Sequence, residues 1–502
     1  VLNTRSLRTA AVFATLLVAL LLSIFGAPPA QAQDDAGHMT TPAIPADRLA
    51  EAIAAAMPGD TIHVDGGVFT GNLVIDKPLT IMGHNWPVLD AQSSGTVITI
   101  TAPNVTISGL DIRNSGDLLD REDSGINVSA PNATIAGNRF TETLFGVFLS
   151  EAHGSVVRDN IIDSMSELDI ARRGDPVRIW SSNDVILEGN QIDSGRDVVL
   201  WYSERLTVRD NDITNGRYGL HFMYCDDAVI SHNRLLNNSV GAYLMYSRRL
   251  DMNHNTVAFN RGPSGYGIGM KDLDDARVEE NLFLDNRVGA YLDGTPFRDG
   301  GTGLFRENVF GYNDIGILML PSVKGNEFYD NSFVDNEQQM SIAGSGALPE
   351  SNDWTVNGRG NYWSDYGGYD ADGDGRGEMA YRSDKLFEDL TEAHPNLRLF
   401  LYSPAINAVE FAAKAFPLVK PQPKLVDEVP LTAPLIPDGA PPLPRVGGSA
   451  WWGIAPALLV LALAIALWPR WRRRYYQLNS GPTGPGAGPS LSGPERFGPA
   501  GG

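Results

Sequence analysis

The sequence predicts an all-β fold: a right-handed parallel β-helix, a solenoid of about ten coils with an N-terminal cap and a C-terminal transmembrane helix. Three observations predict it. First, an Asn followed two residues later by an apolar residue recurs at 138, 160, 190, 211, 233, 255, 281, 308 and 331, in GNRF, DNII, GNQI, DNDI, HNRL, HNTV, ENLF, ENVF and DNSF; most steps are 21–27 residues and one is 30. Second, a glycine eight residues after several of these Asn opens a short apolar strand, as in GVFL at 146, GLHF at 219, GAYL at 241 and 289, and GILM at 316. Third, another short strand precedes each Asn, as in NVTI (104–107), NATI (132–135) and NDVI (183–186). Short β-branched strands with turn residues at fixed offsets and a period near 22 make a solenoid, not a sandwich. Each Asn then stacks on the Asn of the next coil, about 4.8 Å away.

The elements follow in order. Residues 1–32 carry Arg5 and Arg8, an apolar run and Ala30-Gln31-Ala32. This is the order of a secretory signal peptide cut before Gln33; the alternative is an uncleaved anchor. Residues 33–57 are an N-terminal segment ending in a cap helix, since ADRLAEAIAAAM (46–57) is amphipathic. The β-helix repeats run over 58–345. A C-terminal cap, 346–415, holds the aromatic-rich GNYWSDYGGYDADGDGRGEMAYR (360–382). Caps are needed because an open coil end exposes unpaired strand edges. A Pro-rich tether (416–449) leads to AWWGIAPALLVLALAIALW (450–468), which carries no charge. At about 1.5 Å per residue this stretch spans most of a bilayer's hydrocarbon core. Trp451, Trp452 and Trp468 flank it, and Arg470, Arg472, Arg473 and Arg474 follow. The tail 469–502, basic and then Gly/Pro-rich and disordered, is therefore expected to be cytoplasmic. The remainder is expected outside the inner membrane, anchored to it.

Composition narrows the function. The 502 residues are 43% hydrophobic with a net charge of −21. An acidic chain lacks the basic footprint that nucleic acid requires. Cys225 is the single cysteine, so no internal disulfide forms.

Two adjacent coils repeat one phrase. GLHFMYCDDAVISHN (219–233) and GAYLMYSRRLDMNHN (241–255) share Gly, Met, Tyr, His and Asn at matching places. Strand alternation puts Leu220, Phe222 and Tyr224 on one face and His221, Met223 and Cys225 on the other. In the next coil Ala242, Leu244 and Tyr246 share the first face; Tyr243, Met245 and Ser247 share the second. The first face is the more apolar and is assigned to the core. Met223 then lies beside Met245 outside, with His221 and Cys225 near by, and His232 and His254 stack at a turn. Thioether, thiolate and imidazole are the ligands Cu(I) prefers. The competing reading makes the Met and Cys side chains core filling and the His pair ordinary turn residues.

Asp370, Asp372, Asp374 and Glu378 stand at the offsets of hard-oxygen ligands at the start of a Ca²⁺ loop, although Tyr381 occupies the place of the bidentate Glu of an EF-hand. Structural calcium is one expectation; an acidic Gly-rich turn pinned by Trp363, Tyr366 and Tyr369 is the other. Many β-helices also act on acidic polysaccharides, as lyases or epimerases. Asp163, Asp169, Asp175, Asp193 and Asp197 offer acids, and Arg172, Arg173, Arg178 and Arg196 offer carboxylate partners. Their spacing does not repeat from coil to coil. A plain adhesive or scaffold solenoid is a third reading.

Over about residues 40–415 the sequence resembles the NosD family of exported nitrous oxide reductase maturation proteins. The likeness is carried by PGDTIHV…KPLTI, by the coils RYGLHFMY and GAYLMYS, and above all by NYWSDYGGYDADGDGRGE. The resemblance implies a non-enzymatic β-helix with no catalytic cofactor. It implies docking on an ABC transporter with separate ATPase and permease subunits, and a lipoprotein copper chaperone that supplies metal for the copper-sulfide cluster of the reductase apoprotein. The chain has no G-x-x-x-x-G-K-[ST] phosphate loop, so ATP hydrolysis falls to another subunit. The C-terminal span departs from the soluble periplasmic subunit usual in this family.

Overall fold

The computed structural model describes residues 42–343, 351–383, 396–397 and 423–437. Within them the chain winds through twelve coils, and each coil gives one short strand to each of three parallel sheets. The second sheet gains a thirteenth strand, Tyr362–Trp363. The fold class is as the sequence predicts; the coils number twelve rather than about ten. The front coils escape the Asn signature because Leu110 holds the equivalent place one coil before Asn138, its N–H donating to Asn138 Oδ1 at 3.1 Å.

Strand alternation sends every second side chain inward. In the first sheet the inward row includes Ile107, Ile135, Val157, Leu187, Val208, Ile230, Met252, Val278, Phe305 and Phe328, all buried. Burying each contributes about 1.5–3 kcal/mol.

Between the first and second sheets, each turn from Asn138 to Asn331 carries a residue at positive φ followed by the ladder asparagine. Asp210, His232, His254 and Glu280 take this left-handed conformation before Asn211, Asn233, Asn255 and Asn281. Each Asn Oδ1 accepts both the backbone N–H and the side-chain Nδ2–H of the Asn one coil earlier. Asn233 is typical. Its Oδ1 accepts from Asn211 N (3.1 Å) and Nδ2 (3.0 Å), and its Nδ2 donates to Asn255 Oδ1 (3.0 Å) and Val208 O (2.9 Å). The ladder runs unbroken from Asn138 to Asn361.

Both ends are closed. At the front, a 3-10 turn Ala46–Arg48 and an α-helix Leu49–Ala55 bury Leu49 and Ile53. The Lys77 ammonium donates to the carbonyls of Ile53, Ala54 and Ala56 at 2.9, 3.0 and 2.9 Å, satisfying the helix's last carbonyls. At the back, Phe283, Phe310, Phe333, Trp363 and Tyr381 form one ring stack with centroids 5.0, 5.1, 4.3 and 4.4 Å apart. Val426–Asp427 pairs antiparallel with Tyr381–Arg382. Residues 423–437 were assigned on composition to the tether, yet Lys424, Leu425 and Asp427 are buried in this cap. Asp427 ends the ladder: its carboxylate accepts from Asn361 N (2.7 Å), Trp363 Nε1 (2.9 Å) and Thr355 Oγ1 (2.8 Å). Burial raises the Asp427 pKa above its ordinary value against these bonds, which lower it.

The signal peptide (1–32) and the span 450–468 lie outside the described residues. Among the described residues no helix is long and apolar enough to cross a membrane.

Replacing Asp427 by Ala leaves the buried Asn361 N–H and Trp363 Nε1–H and the half-buried Thr355 hydroxyl without this acceptor. Asp427→Ala is expected to lower unfolding free energy by about 3 kcal/mol or more in urea denaturation, at roughly 1–3 kcal/mol per unsatisfied group. Asp427→Asn keeps one acceptor oxygen and should lose clearly less; equal losses would mean the ladder does not need this terminus.

Candidate functional site

The third sheet carries a distinctive outer face. One outward row runs Trp180, Trp201, Met223, Met245, Lys271, Asp293, each in register with the next. A second row runs Arg178, Val199, His221, Tyr243, Gly269, Tyr291. Met223 and Met245 are thus direct neighbours, about 4.8 Å apart along the stack, and both are half-buried. Leu220 and Phe222 face the core with Ala242 and Leu244, as expected.

The expected alternation fails at the end of each strand. The strand stops at Met223, and Tyr224 takes φ 56°. This left-handed corner turns Tyr224 outward and Cys225 inward. Tyr224 is 48% exposed and Cys225 wholly buried. Tyr246 repeats the corner at φ 54°, and Ser247 is buried. Tyr202, Tyr224 and Tyr246 stack outside with centroids 5.2 and 5.1 Å apart.

Cys225 therefore leaves the copper set. It occupies one rung of a hydroxyl ladder of Ser182, Ser203, Cys225 and Ser247. Ser182 N donates to Ser203 Oγ and Cys225 N to Ser247 Oγ, at 2.9 and 2.8 Å, while Cys225 Sγ donates to Leu200 O at 3.1 Å. Burial pushes the thiol up to about 12, so no thiolate forms at neutral pH.

His221 is enclosed. Its ring meets Trp201 and Tyr218 edge-on, with centroids 5.2 and 4.9 Å away, and its Nδ1 lies 3.4 Å from Asp197 Oδ2. Burial opposes ionisation of Asp197, but the hydrogen bonds from Arg217 and the nearby His221 outweigh it and hold the pKa below the ordinary value. His221 is thus a wall and a polar anchor behind the thioethers. Trp201 bounds the Met pair on one side, and the Lys271–Asp293 ion pair (2.7 Å) bounds it on the other. A Cβ on Gly269 would lie 2.2 Å from the Tyr243 ring, so glycine makes room for that ring. The face therefore offers two adjacent soft sulfurs against an aromatic wall. Sequence reasoning missed Trp201, although the phrases LWYS, FMYC and LMYS align it with Met223 and Met245.

A family model described as periplasmic copper-binding protein (NosD) matches residues 165–368, which contain this whole face. A Pseudomonas aeruginosa protein named probable ABC transporter binding protein NosD is 31% identical, over 76% of this chain and 92% of its own length. The chain belongs to the NosD family. A protein of the same name from Stutzerimonas stutzeri is 29% identical over 74% of this chain and 86% of its own length. Among solved structures, the Streptococcus pneumoniae surface protein and adhesin PfbA is 11% identical with a TM-score of 0.45, over 58% of this chain and 94% of its own.

The other candidate positions in this NosD-family chain are also placed. His232 and His254 sit at the left-handed turns of the ladder, stacked with planes 8° apart and centroids 4.9 Å apart. Their in-plane lone pairs run parallel rather than towards one point, and His254 Nε2 pairs with Glu280 at 2.9 Å. Asp370, Asp372 and Asp374 bring ligand oxygens within 4.8 Å of one another. Asp370 accepts from Gly373 N and Gly375 N at 2.7 and 2.9 Å, and Glu378 accepts from Ala371 N at 2.7 Å.

Four of the five acids weighed for polysaccharide chemistry divide between two faces, and Asp169 lies in the loop between Ile161–Ser164 and Val177–Trp180. Asp163 and Asp193 are neighbours on the second sheet. Asp175 and Asp197 are buried beside the third, where Asp175 pairs with Arg196 at 3.0 Å. Burial, with the Asp197 charge, raises Asp175 to about 6 against the pull of Arg196 and Arg178. Arg173 is spent on the carbonyls of Leu168 and Ser194 at 2.7 and 3.0 Å.

A thiol held as a core rung has a direct test. Cys225→Ser restores the hydroxyl of the neighbouring rungs and should leave folding unchanged. The wild-type thiol should react with an aromatic disulfide reagent only on unfolding; rapid reaction of the native protein would return Cys225 to the list of ligands.

Proposed function

We propose that this chain is a non-enzymatic, extracytoplasmic maturation factor for nitrous oxide reductase, and that copper passes across its Met223–Met245 face as cargo. The carrying observation is the thioether pair, in register and half-buried on an outer face that lies inside the residues matched by the copper-binding family model. Two thioethers select a soft monovalent ion, and the Trp201 indole beside them favours a cation near its ring. So open a donor set holds copper loosely, which suits transfer rather than storage. The relatives' printed names support an ABC transporter as partner. In this reading its ATPase and permease subunits supply the driven motion. A lipoprotein chaperone delivers copper, the reductase apoprotein receives it for the copper-sulfide cluster, and 450–468 anchors the chain in the inner membrane.

Against an acidic-polysaccharide lyase or epimerase stands the burial of Asp175. A carboxyl with 1% side-chain exposure, held by Arg196, does not reach a sugar hydroxyl.

Met223→Leu with Met245→Leu nearly conserves volume and should cost under about 1.5 kcal/mol per site. In a denitrifying host this double variant should export reductase that is poor in copper, approaching the level of a gene deletion. Full loading in the double variant would remove the site. Full loading in the deletion would remove the maturation role.

We further propose a structural Ca²⁺ at the Asp370–Glu378 turn. Calcium added to chelator-stripped protein is expected to raise its thermal midpoint, and Asp372→Asn with Asp374→Asn to abolish the rise. An unchanged wild-type midpoint would leave the turn as a set of local backbone bonds.

A further inference from the structure

The first two coils bring two histidines together outside the residues matched by the family model. Thr61–Asp65 and Thr80–His84 pair in parallel, placing His63 opposite Met82 and Asp65 opposite His84. Ile62, Val64 and Ile81 point inward and are buried. His63, Met82 and His84 therefore share the outer face, where Met82 is 37% exposed. His63 Nδ1 and His84 Nε2 approach to 3.0 Å. The ring centroids are 5.3 Å apart with planes 18° apart. With such centroids and so short a nitrogen contact, the rings meet nitrogen to nitrogen, unlike the parallel faces of His232 and His254.

We propose that His63, His84 and the Met82 thioether form a second copper site, chemically distinct from the Met223–Met245 face and independent of its reading. Two imidazole nitrogens bound to one metal at about 2.0–2.1 Å and a tetrahedral angle lie roughly 3.3–3.4 Å apart. In the structure these two nitrogens share an N–H···N hydrogen bond at 3.0 Å, which the metal would replace as both rings turn on side chains free to rotate. Each neutral ring then turns one lone pair to the metal and carries its proton on the other nitrogen, which for the ring now donating the hydrogen bond is a change of tautomer. Met82, flexible at three bonds and directly opposite His63, brings the third donor. Imidazole accepts copper or zinc, and thioether tips the choice to Cu(I). The neighbouring Asp65 carboxylate, which accepts from Asn85 Nδ2 at 2.7 Å, is a hard oxygen donor that Cu(I) disfavours. Met223 lies five coils beyond Met82 and His84, about 24 Å along the stack, and on a different sheet. A donor set of two nitrogens and one sulfur should hold copper more tightly than two sulfurs, making this end a place of residence and the Met face a place of passage.

The test is anaerobic Cu(I) titration of the purified full chain against a chromophoric Cu(I) chelator. The wild type should retain one tight equivalent. His63→Thr with His84→Thr should lose it, and Met223→Leu with Met245→Leu should keep it. Met82→Leu should weaken it on the order of tenfold or more, the scale at which metal-site perturbations register. Retention of the tight equivalent by the His63/His84 variant would overturn the site. Should that variant fail to fold, Ag(I) added to the wild type decides. The chain has eight histidines, and the imidazole resonances of His63 and His84 should shift together within the first equivalent; their silence would also overturn the site.

Discussion

The structure depends on one constraint: a buried amide must hand its hydrogen bonds to the next buried amide. Each ladder asparagine is buried; each spends its oxygen on the coil before, and its NH₂ on the amide of the coil after and a carbonyl of the coil before. A slip of one residue in any coil would bury an unpaired amide, at about 1–3 kcal/mol per group. The ladder therefore sets register from Asn138 to Asn361, and register places Met223 on Met245 and Trp201 beside them. A second, shorter ladder, Asn238, Asn260, Asn286, Asn313 and Asn336, does the same work where the second sheet meets the third. It ends on Gln339, whose Oε1 accepts from Asn336 Nδ2 at 2.9 Å. A chain of donors needs a final acceptor, and for the long ladder that acceptor is Asp427.

What repeats was legible in the sequence. The asparagine period gave coil boundaries, and the matched phrases at 219 and 241 gave the methionine register correctly. What does not repeat was not legible. Asp427 stands 66 residues beyond the amide it closes, within a stretch whose prolines read as a tether. Leu110 replaces an asparagine and hides the front coils from the period. Cys225 was misplaced for a different reason. Alternation holds only while the backbone stays extended, and one residue at positive φ shifts the inward set by one. Ser182, Ser203 and Ser247 at the matching places were the available signal, since three small hydroxyls in one column describe a buried rung.

The rungs explain why sulfur in this chain plays two roles. Cys225 is a hydroxyl surrogate whose burial keeps it protonated. Met223 and Met245 stand two residues earlier in their coils, before the corner, and keep their sulfurs on the outer face. The same fold therefore hides the strongest soft ligand and presents the weaker ones. That ordering fits transient contact with a metal that must leave again. A thiolate added to the pair would hold copper through a charged, far tighter bond.

Stacking also governs charge. Identical coils would set like charges about 4.8 Å apart, which is destabilising. The chain answers by following an acid with an arginine one coil later. Asp184 meets Arg205, Asp226 meets Arg248, and Asp227 meets Arg249, at 2.7, 2.6 and 2.5 Å. These exposed pairs add little stability singly; their effect is to make the neighbouring-coil register the favourable one. Along the outward row of the third sheet this alternation lapses between Trp180 and Met245 and resumes at Lys271 and Asp293. Four uncharged, polarizable side chains in register on an acidic protein need another reason to be there. In the proposed function a soft cation supplies it: bulk negative charge would draw the ion in, while the uncharged row would bind it without an ion pair that slows its departure.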